Sequence, residues 1–278
     1  MSYHIEKNSV QETLVIPLYG RKLCTEQFPN LFRDDKAVEL INRIDYDFSE
    51  LDKRSKSLAY RFGALEVAMR ENDLMAEARD FLKTHPEAAL VNLGCGLDQT
   101  AENCDNGLCR IYNLDLPDVI AVRNELLPEG ERIKNIAADL NELSWFDHID
   151  AEKGVCFLAA GVFYYFKTEQ IKRLFTAMAE RFPGGRLVFD SANKRAVKLM
   201  LKTWVKEAGI TSIADYFSVD SIEKDVIPWM KNAKISSRGY MLGYNDLRDP
   251  SVSGLFRLMA KLGDGYMKMQ MIKMDFTE

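Results

Sequence analysis

The sequence predicts an α/β fold: a doubly wound, mostly parallel sheet with an antiparallel C-terminal strand, preceded by an N-terminal helical cap and carrying a helical insertion. Three observations carry this. The apolar run 90–93 breaks into Gly94-Cys95-Gly96, the pattern of a buried strand ending in a tight turn. A second apolar run, 110–114, ends in Asp115. From Ala88 onward strand-like and helix-like segments alternate, as parallel strands joined by crossover helices do.

Residues 1–87 read as the cap. Leu14, Ile16, Leu18 and Leu23, then Ala37, Leu40, Ile41 and Ile44, then Leu58, Phe62, Leu65 and Met69 form apolar stripes at helical spacing with no strand alternation. Pro17 and Pro29 are expected to break these helices, Asp34 or Asp35 to cap the one holding Ala37, and His85-Pro86 to close the last. Residues 88–278 read as the core. Its strands are expected at 89–93, 110–114, 133–137, 155–160 and 186–190, and its clearest helices at 117–127, opened by Pro117, and 168–182. Segment 193–234 reads as a mostly helical insertion on the substrate side, with Trp204, Phe217 and Trp229. Two tail strands are expected at 239–244 and 266–276. The second alternates Met267, Met269 and Met271 with Lys268, Gln270 and Ile272.

A length of 278 residues with 47% hydrophobic content suits one large α/β unit with an insertion. A formal charge of −5 argues against a general nucleic-acid binder. The five cysteines are odd in number and lack zinc-type spacing, so reduced thiols and no metal are expected. No cationic leader and no run of membrane-spanning length stands out, which places the expected protein in the cytoplasm, off the membrane. His4, His85 and His148 show no pairing that suggests a nucleophilic triad.

Glycine at 94 permits positive φ, and glycine at 96 lets backbone approach a ligand. An acid ending the next strand lies where it can accept hydrogen bonds from both hydroxyls of a ribose, so an adenosine-containing cofactor is expected. A dinucleotide is disfavoured: Gln99 stands where the fingerprint wants a third glycine, and Asp98, Glu102 and Asp105 put negative charge where a pyrophosphate would lie. S-adenosylmethionine, a phosphate-free sulfonium, suits an acidic loop better.

Several separated motifs resemble one family of Rossmann-like enzymes, the leucine carboxyl methyltransferase and polyketide O-methyltransferase group. The segments are Val91-Asn92-Leu93-Gly94-Cys95-Gly96-Leu97-Asp98, Leu114-Asp115-Leu116-Pro117-Asp118-Val119-Ile120, Ala138-Asp139-Leu140 with Trp145, and Ala160-Gly161-Val162-Phe163-Tyr164-Tyr165-Phe166. In the cap, Pro17 to Arg21, Asp34 to Ala37, and Arg61 with Glu66 resemble bacterial members. The resemblance covers roughly the first two thirds of the chain. It departs at Thr100, where the family often has arginine, and at Ala160, where it has a glutamate beside the methionine end of the cofactor.

The resemblance implies S-adenosylmethionine as cofactor. Gly94, Cys95, Gly96, Asp115, Leu116 and Ala160 would lie around it, with Asp139 and Leu140 on the adenine and Arg61 on its carboxylate. Tyr164 and Tyr165 lie where methyl and acceptor meet; one faces the reaction and the other is core. Arg21 either orients an acceptor carboxylate or serves as a cap residue, and Trp204 belongs to the expected acceptor pocket. The function expected is O-methylation of a small-molecule or peptide carboxylate or phenolic hydroxyl. The alternative is a catalytically impaired, cofactor-binding regulatory relative.

Overall fold

A computed structural model describes residues 3–5, 12–200, 216–245 and 247–277. Strand β1 (Tyr3–His4) pairs in parallel with β2 (Ile44–Asp45), beside helices α1 (Glu12–Gln27), α2 (Asp35–Arg43), α3 (Ser49–Arg54) and α4 (Leu58–Thr84). The main sheet is built from β3 (Ala89–Leu93), β4 (Arg110–Asp115), β5 (Ile133–Ala137), β6 (Val155–Ala159), β7 (Arg186–Ser191), β8 (Ala233–Gly239) and β9 (Gln270–Phe276). Its spatial order is β5-β4-β3-β6-β7-β9-β8, parallel throughout except for β9. Helices α5 (Pro117–Leu126), α6 (Thr168–Arg181), α7 (Lys194–Met200), α8 (Ile222–Asp225) and α9 (Gly254–Gly265) complete the described α-helices.

Alternation along each strand separates two apolar layers. Leu90, Ile111, Cys156, Leu158 and Val188 face a core shared with α1, α2, α4, α5 and α9. Val91, Leu114, Phe157 and Phe189 face the other, with Trp145 and Phe146 and with Leu174, Phe175 and Met178 of α6. Both faces are covered, which is why the inner strands read as continuous apolar runs.

The direction of winding reverses between β3 and β6, the crevice in which open α/β sheets bind ligands. Register then dictates what meets there. Leu93 pairs with Leu114 and with Ala159, Leu114 with Ile136, and Ala159 with Phe189. The residues just beyond that row, Gly94, Asp115, Ala160 and Asp190, therefore stand side by side along the C-terminal edge.

Several expectations need correction. Pro17 lies inside α1 rather than ending it. It costs one backbone bond near the helix start, and buried Val15, Leu18 and Tyr19 carry the helix through. Pro29 does follow the helix, Asp34 caps α2 through Ala37 N at 2.7 Å, and His85 closes α4. The cap also contains strand β2. The strand expected at 239–244 lies instead at Ala233–Gly239, because Met241 N and Leu242 N donate to the Asp264 carboxylate and draw that apolar run off the sheet. The last strand starts at Gln270, since Tyr266 N and Met267 N still bond Leu262 O and Lys268 takes φ +51°. Met271, Ile272 and Met274 are all buried, because β9 lies between β7 and β8. Phe217 and Trp229 pack around Phe175, the former also against Phe189, in the core rather than in an acceptor pocket. Among the described residues no helix is long and apolar enough to cross a membrane, and all five cysteines are buried free thiols.

Candidate active site

The loop after β3 is shaped by two glycines with positive φ, Gly94 at +62° and Gly96 at +48°. Gly94 N and Cys95 N both donate to Leu114 O, at 2.8 and 3.1 Å. A Cβ on Gly94 would fall 2.5 Å from Val162 Cγ2, so glycine is what lets this loop meet the turn after β6. Gly96 N donates to Asp115 Oδ2 and Leu116 N to Asp115 Oδ1, each at 2.8 Å. Burial raises the Asp115 carboxyl above its usual value while these two bonds oppose the rise. The carboxylate is thus fixed in orientation and retains acceptor sites on both oxygens.

Beneath the loop lies a buried network that sequence reading missed. Arg123, fully buried on α5, donates from Nη1 to Gly96 O at 3.0 Å and Asp98 O at 2.7 Å, and from Nη2 to Glu102 Oε1. Asp98 in turn accepts from Asn92 Nδ2 at 2.6 Å and Thr100 N at 3.0 Å. Where arginine was expected at 100, the threonine is buried and the guanidinium comes from α5. Arg21 is a further correction. It is 4% exposed, its Nε donates to Asp34 Oδ2 at 2.8 Å and its Nη2 to Leu97 O at 2.9 Å, with Glu71 at 3.8 Å. Those bonds tie α1 and the α2 cap to the glycine loop, so Arg21 positions the loop rather than presenting a cation to an acceptor.

At the far side of β4, Asp139 follows β5. Its Oδ1 accepts from Asn141 N and Nδ2, both at 2.9 Å, an Asx turn that leaves Oδ2 for another donor. Leu140 is buried beside it.

The β6–β7 end is built from side chains. Ala160 is half-buried, and Gly161 takes φ +70° and donates N–H to Asp190 Oδ1 at 2.6 Å. Asp190 Oδ2 accepts from Tyr164 OH and pairs with Arg70 Nη1, both at 3.0 Å. The Arg70 guanidinium lies against Gly161, 3.0 Å from where a Cβ would stand, and its buried Nε has no hydrogen-bond partner among the described residues. One turn earlier on α4, Glu66 accepts from Tyr240 OH at 2.9 Å. Burial raises the carboxyl of Glu66 and raises the Tyr164 hydroxyl well above its usual value. Tyr165 is 51% exposed, yet the charges of Arg70 and Asp190 reach its hydroxyl, as expected of a residue lining a cleft.

Arg61 Nε donates to Gln27 Oε1 at 2.7 Å and its guanidinium covers the Phe256 ring at 5.6 Å, so these two partners come from α1 and α9 rather than from the sheet edge. Arg61 and Arg70 are nine residues apart, so at 3.6 residues per turn they leave α4 on opposite faces. Trp204 lies outside the described residues. Asp190 carried a usable signal: like Asp115, it is an acid at the end of a core strand.

The family model for leucine carboxyl methyltransferase matches residues 17–179. The chain is 30% identical over 192 residues, 69% of each chain, to the tetracenomycin polyketide synthesis O-methyltransferase TcmP of Streptomyces glaucescens. It is 31% identical over 149 residues to a candidate S-adenosyl-L-methionine-dependent methyltransferase of Parafrankia sp. (strain EAN1pec), covering 49% of this chain and 46% of that one. Among solved structures, a candidate methyltransferase from Thermobifida fusca YX superposes with a TM-score of 0.58 at 15% identity over 77% of this chain and 82% of its own. A DUF574 family protein from Streptomyces avermitilis gives 0.58 at 10% identity, over 84% and 92%. With the matched region spanning the cap, the glycine loop and the β6 turn, the chain belongs to the leucine carboxyl methyltransferase family of S-adenosylmethionine-dependent methyltransferases.

Proposed function

We propose that this enzyme methylates an oxygen atom of a small-molecule acceptor, and that the C-terminal edge of β3, β4, β6 and β7 holds the cofactor. S-adenosylmethionine supplies an electrophilic methyl group on a sulfonium. Asp115 fits the ribose, since both its oxygens are fixed by backbone and both still accept. Asp139 Oδ2 and Leu140 suit the adenine amino group and ring. Gly94, Cys95, Gly96, Leu116 and Ala160 form the walls between. For the carboxylate of the cofactor the reading moves from Arg61 to Arg70, because Arg70 lies on the Gly161 turn with an unpartnered buried Nε, and a guanidinium edge matches a carboxylate bidentately.

The observation that carries the catalytic reading over the regulatory one is Asp190. Ala160 removes an expected glutamate, but Asp190 supplies a carboxylate to the same turn through Gly161 N. Holding an acceptor oxygen about 3 Å from the methyl carbon in a water-poor cleft supplies much of the acceleration. Tyr164, bonded to Asp190, stiffens the floor of that cleft, and half-open Tyr165 offers a wall to the acceptor.

The test is incubation with methyl-labelled S-adenosylmethionine and a panel of aromatic acids and phenols. Label should enter an acceptor oxygen, as an alkali-labile ester or an alkali-stable ether, and Asp115→Ala should abolish it. Cofactor binding without transfer to any acceptor would favour the regulatory relative.

A further inference from the structure

Helix α4 leads through a short turn into β3 and so runs against the strands. Its pairing with β7 follows that direction: Arg186 at the start of β7 meets Glu77 and Asp80, and Asp190 near its end meets Arg70 at 3.0 Å. Glu66 and Arg70 are four residues apart on α4 and share a face, about 6 Å apart along the axis. Glu66, one turn before Arg70, therefore stands beyond the strand ends, where half-buried it accepts from Tyr240 OH just past β8. That bond occupies Oε1 at 2.9 Å, and among the described residues Oε2 takes no hydrogen bond.

The charges at this end match those on the amino-acid arm of the cofactor. The carboxylate and ammonium of the arm sit on the same carbon, as Arg70 and Asp190 sit in direct contact, and these charges cancel in pairs. What remains on the ligand is the sulfonium, separated from the carboxylate by a short aliphatic chain. What remains on the protein is Glu66, one helical turn from Arg70. The acids at the other end of the edge are already engaged: Asp98 by Asn92 Nδ2 and Thr100 N, Glu102 by Arg123, and Asp115 by Gly96 N and Leu116 N. We infer, from the methyl-transfer reading above, that Glu66 is the counter-charge of the sulfonium and makes the site prefer S-adenosylmethionine to its demethylated product. S-adenosylhomocysteine keeps the carboxylate and the ammonium, but its sulfur is neutral. The titratable groups within electrostatic reach of Glu66 are Arg70 on its own helix, Asp190 from β7, Tyr164 from the turn after β6 and Tyr240 after β8. Burial raises the Glu66 carboxyl, the Tyr240 bond and Arg70 oppose the rise, and Asp190 adds to it. A cation beside this carboxyl favours its charged form, so ionisation of Glu66 and binding of the sulfonium strengthen each other.

The test is calorimetric titration of the full chain with S-adenosylmethionine and with S-adenosylhomocysteine between about pH 5 and about pH 8. The ratio of the two affinities should favour S-adenosylmethionine most at the alkaline end. It should fall about tenfold on acidification, with a midpoint above the ordinary carboxylate range, as Glu66 gains a proton. Glu66→Gln keeps the shape and the bond from Tyr240. It should lower the ratio about tenfold at the alkaline end, leave S-adenosylhomocysteine affinity within about threefold, and flatten the pH profile. Tyr240→Phe removes a bond that stabilises the ionised carboxylate and should move the midpoint upward, a shift that a merely structural role would not produce. A wild-type ratio flat with pH, or a ratio unchanged in Glu66→Gln, would overturn the assignment. So would equal weakening of both ligands in Glu66→Gln, which would point to the ammonium or to the fold. Failure of both ligands to bind the wild type would instead sink the methyl-transfer reading itself.

Discussion

At the β3–β4 end of the edge the surface of the candidate site is mostly backbone, whereas at the β6–β7 end it is made of side chains drawn from α4, β7 and the segment after β8. The first end presents a loop whose N–H groups bond Leu114 O and the Asp115 carboxylate, with Arg123 beneath holding the carbonyls of Gly96 and Asp98. The second gathers Glu66, Arg70, Asp190, Tyr164 and Tyr240 into one charged group. A surface whose polar groups are already paired is rigid and suits a part of the ligand common to many reactions. A surface with a spare guanidinium N–H and a half-buried acid suits the part where chemistry differs.

The largest effect expected from breaking the first end comes from Arg123→Met. It leaves the Glu102 carboxylate and two loop carbonyls without their buried donor, so urea unfolding should show a loss of about 3–5 kcal/mol. A loss under about 1 kcal/mol would mean that the loop does not depend on its underside.

Gly94→Ala should cost about 1–2 kcal/mol for left-handed backbone alone, and more from contact with Val162. Adding Val162→Ala should recover the contact part and not the backbone part. Full recovery, read in the same unfolding experiment, would show that glycine is needed only for space.

Proton linkage gives a sharper test of the tie between cap and loop. Burial outweighs Arg21 and pushes Glu71 from 4.5 to about 8. The folded chain then keeps a proton that the unfolded chain releases. This contribution to stability is therefore full below about pH 4.5 and lost as pH rises through about 8. Glu71→Gln should flatten that fall in a series of denaturation curves across the window, and an unchanged slope would remove Glu71 as its source.

The smallest effect is expected from Arg61→Ala. With Gln27 and Phe256 as its partners, its loss should change S-adenosylhomocysteine affinity by less than about 0.5 kcal/mol. A larger change would return the carboxylate role to Arg61.

These two ends also explain what was legible before any coordinates. Gly94, Gly96 and Asp115 announce themselves because a strand ending in a turn is local and has a spacing of its own. Strand positions followed from the same locality, and β3 and β5 match the expected bounds. The β6–β7 end has no such signature. Arg70 meets Asp190 across 120 residues and Glu66 meets Tyr240 across 174, and no local period marks such pairs. Arg61 was named from the resemblance alone, and nothing local pointed to Arg70, which helical phase sets on the opposite face of α4. Arg21 was left open between an acceptor contact and a cap residue, and Phe217 was placed in a substrate-side insertion, because composition cannot tell a buried polar or aromatic group from one lining a cleft.

The central claim is that both ends hold one molecule of cofactor, with Asp115 on its nucleoside and Arg70 on its carboxylate. The direct measurement is calorimetric titration of wild type, Asp115→Ala and Arg70→Met with S-adenosylhomocysteine and with 5′-methylthioadenosine, which lacks the amino-acid carboxylate. Asp115→Ala should weaken both ligands by about tenfold or more, while Arg70→Met should weaken only the first. Equal losses for both ligands in Arg70→Met, or unchanged binding in Asp115→Ala, would contradict the account.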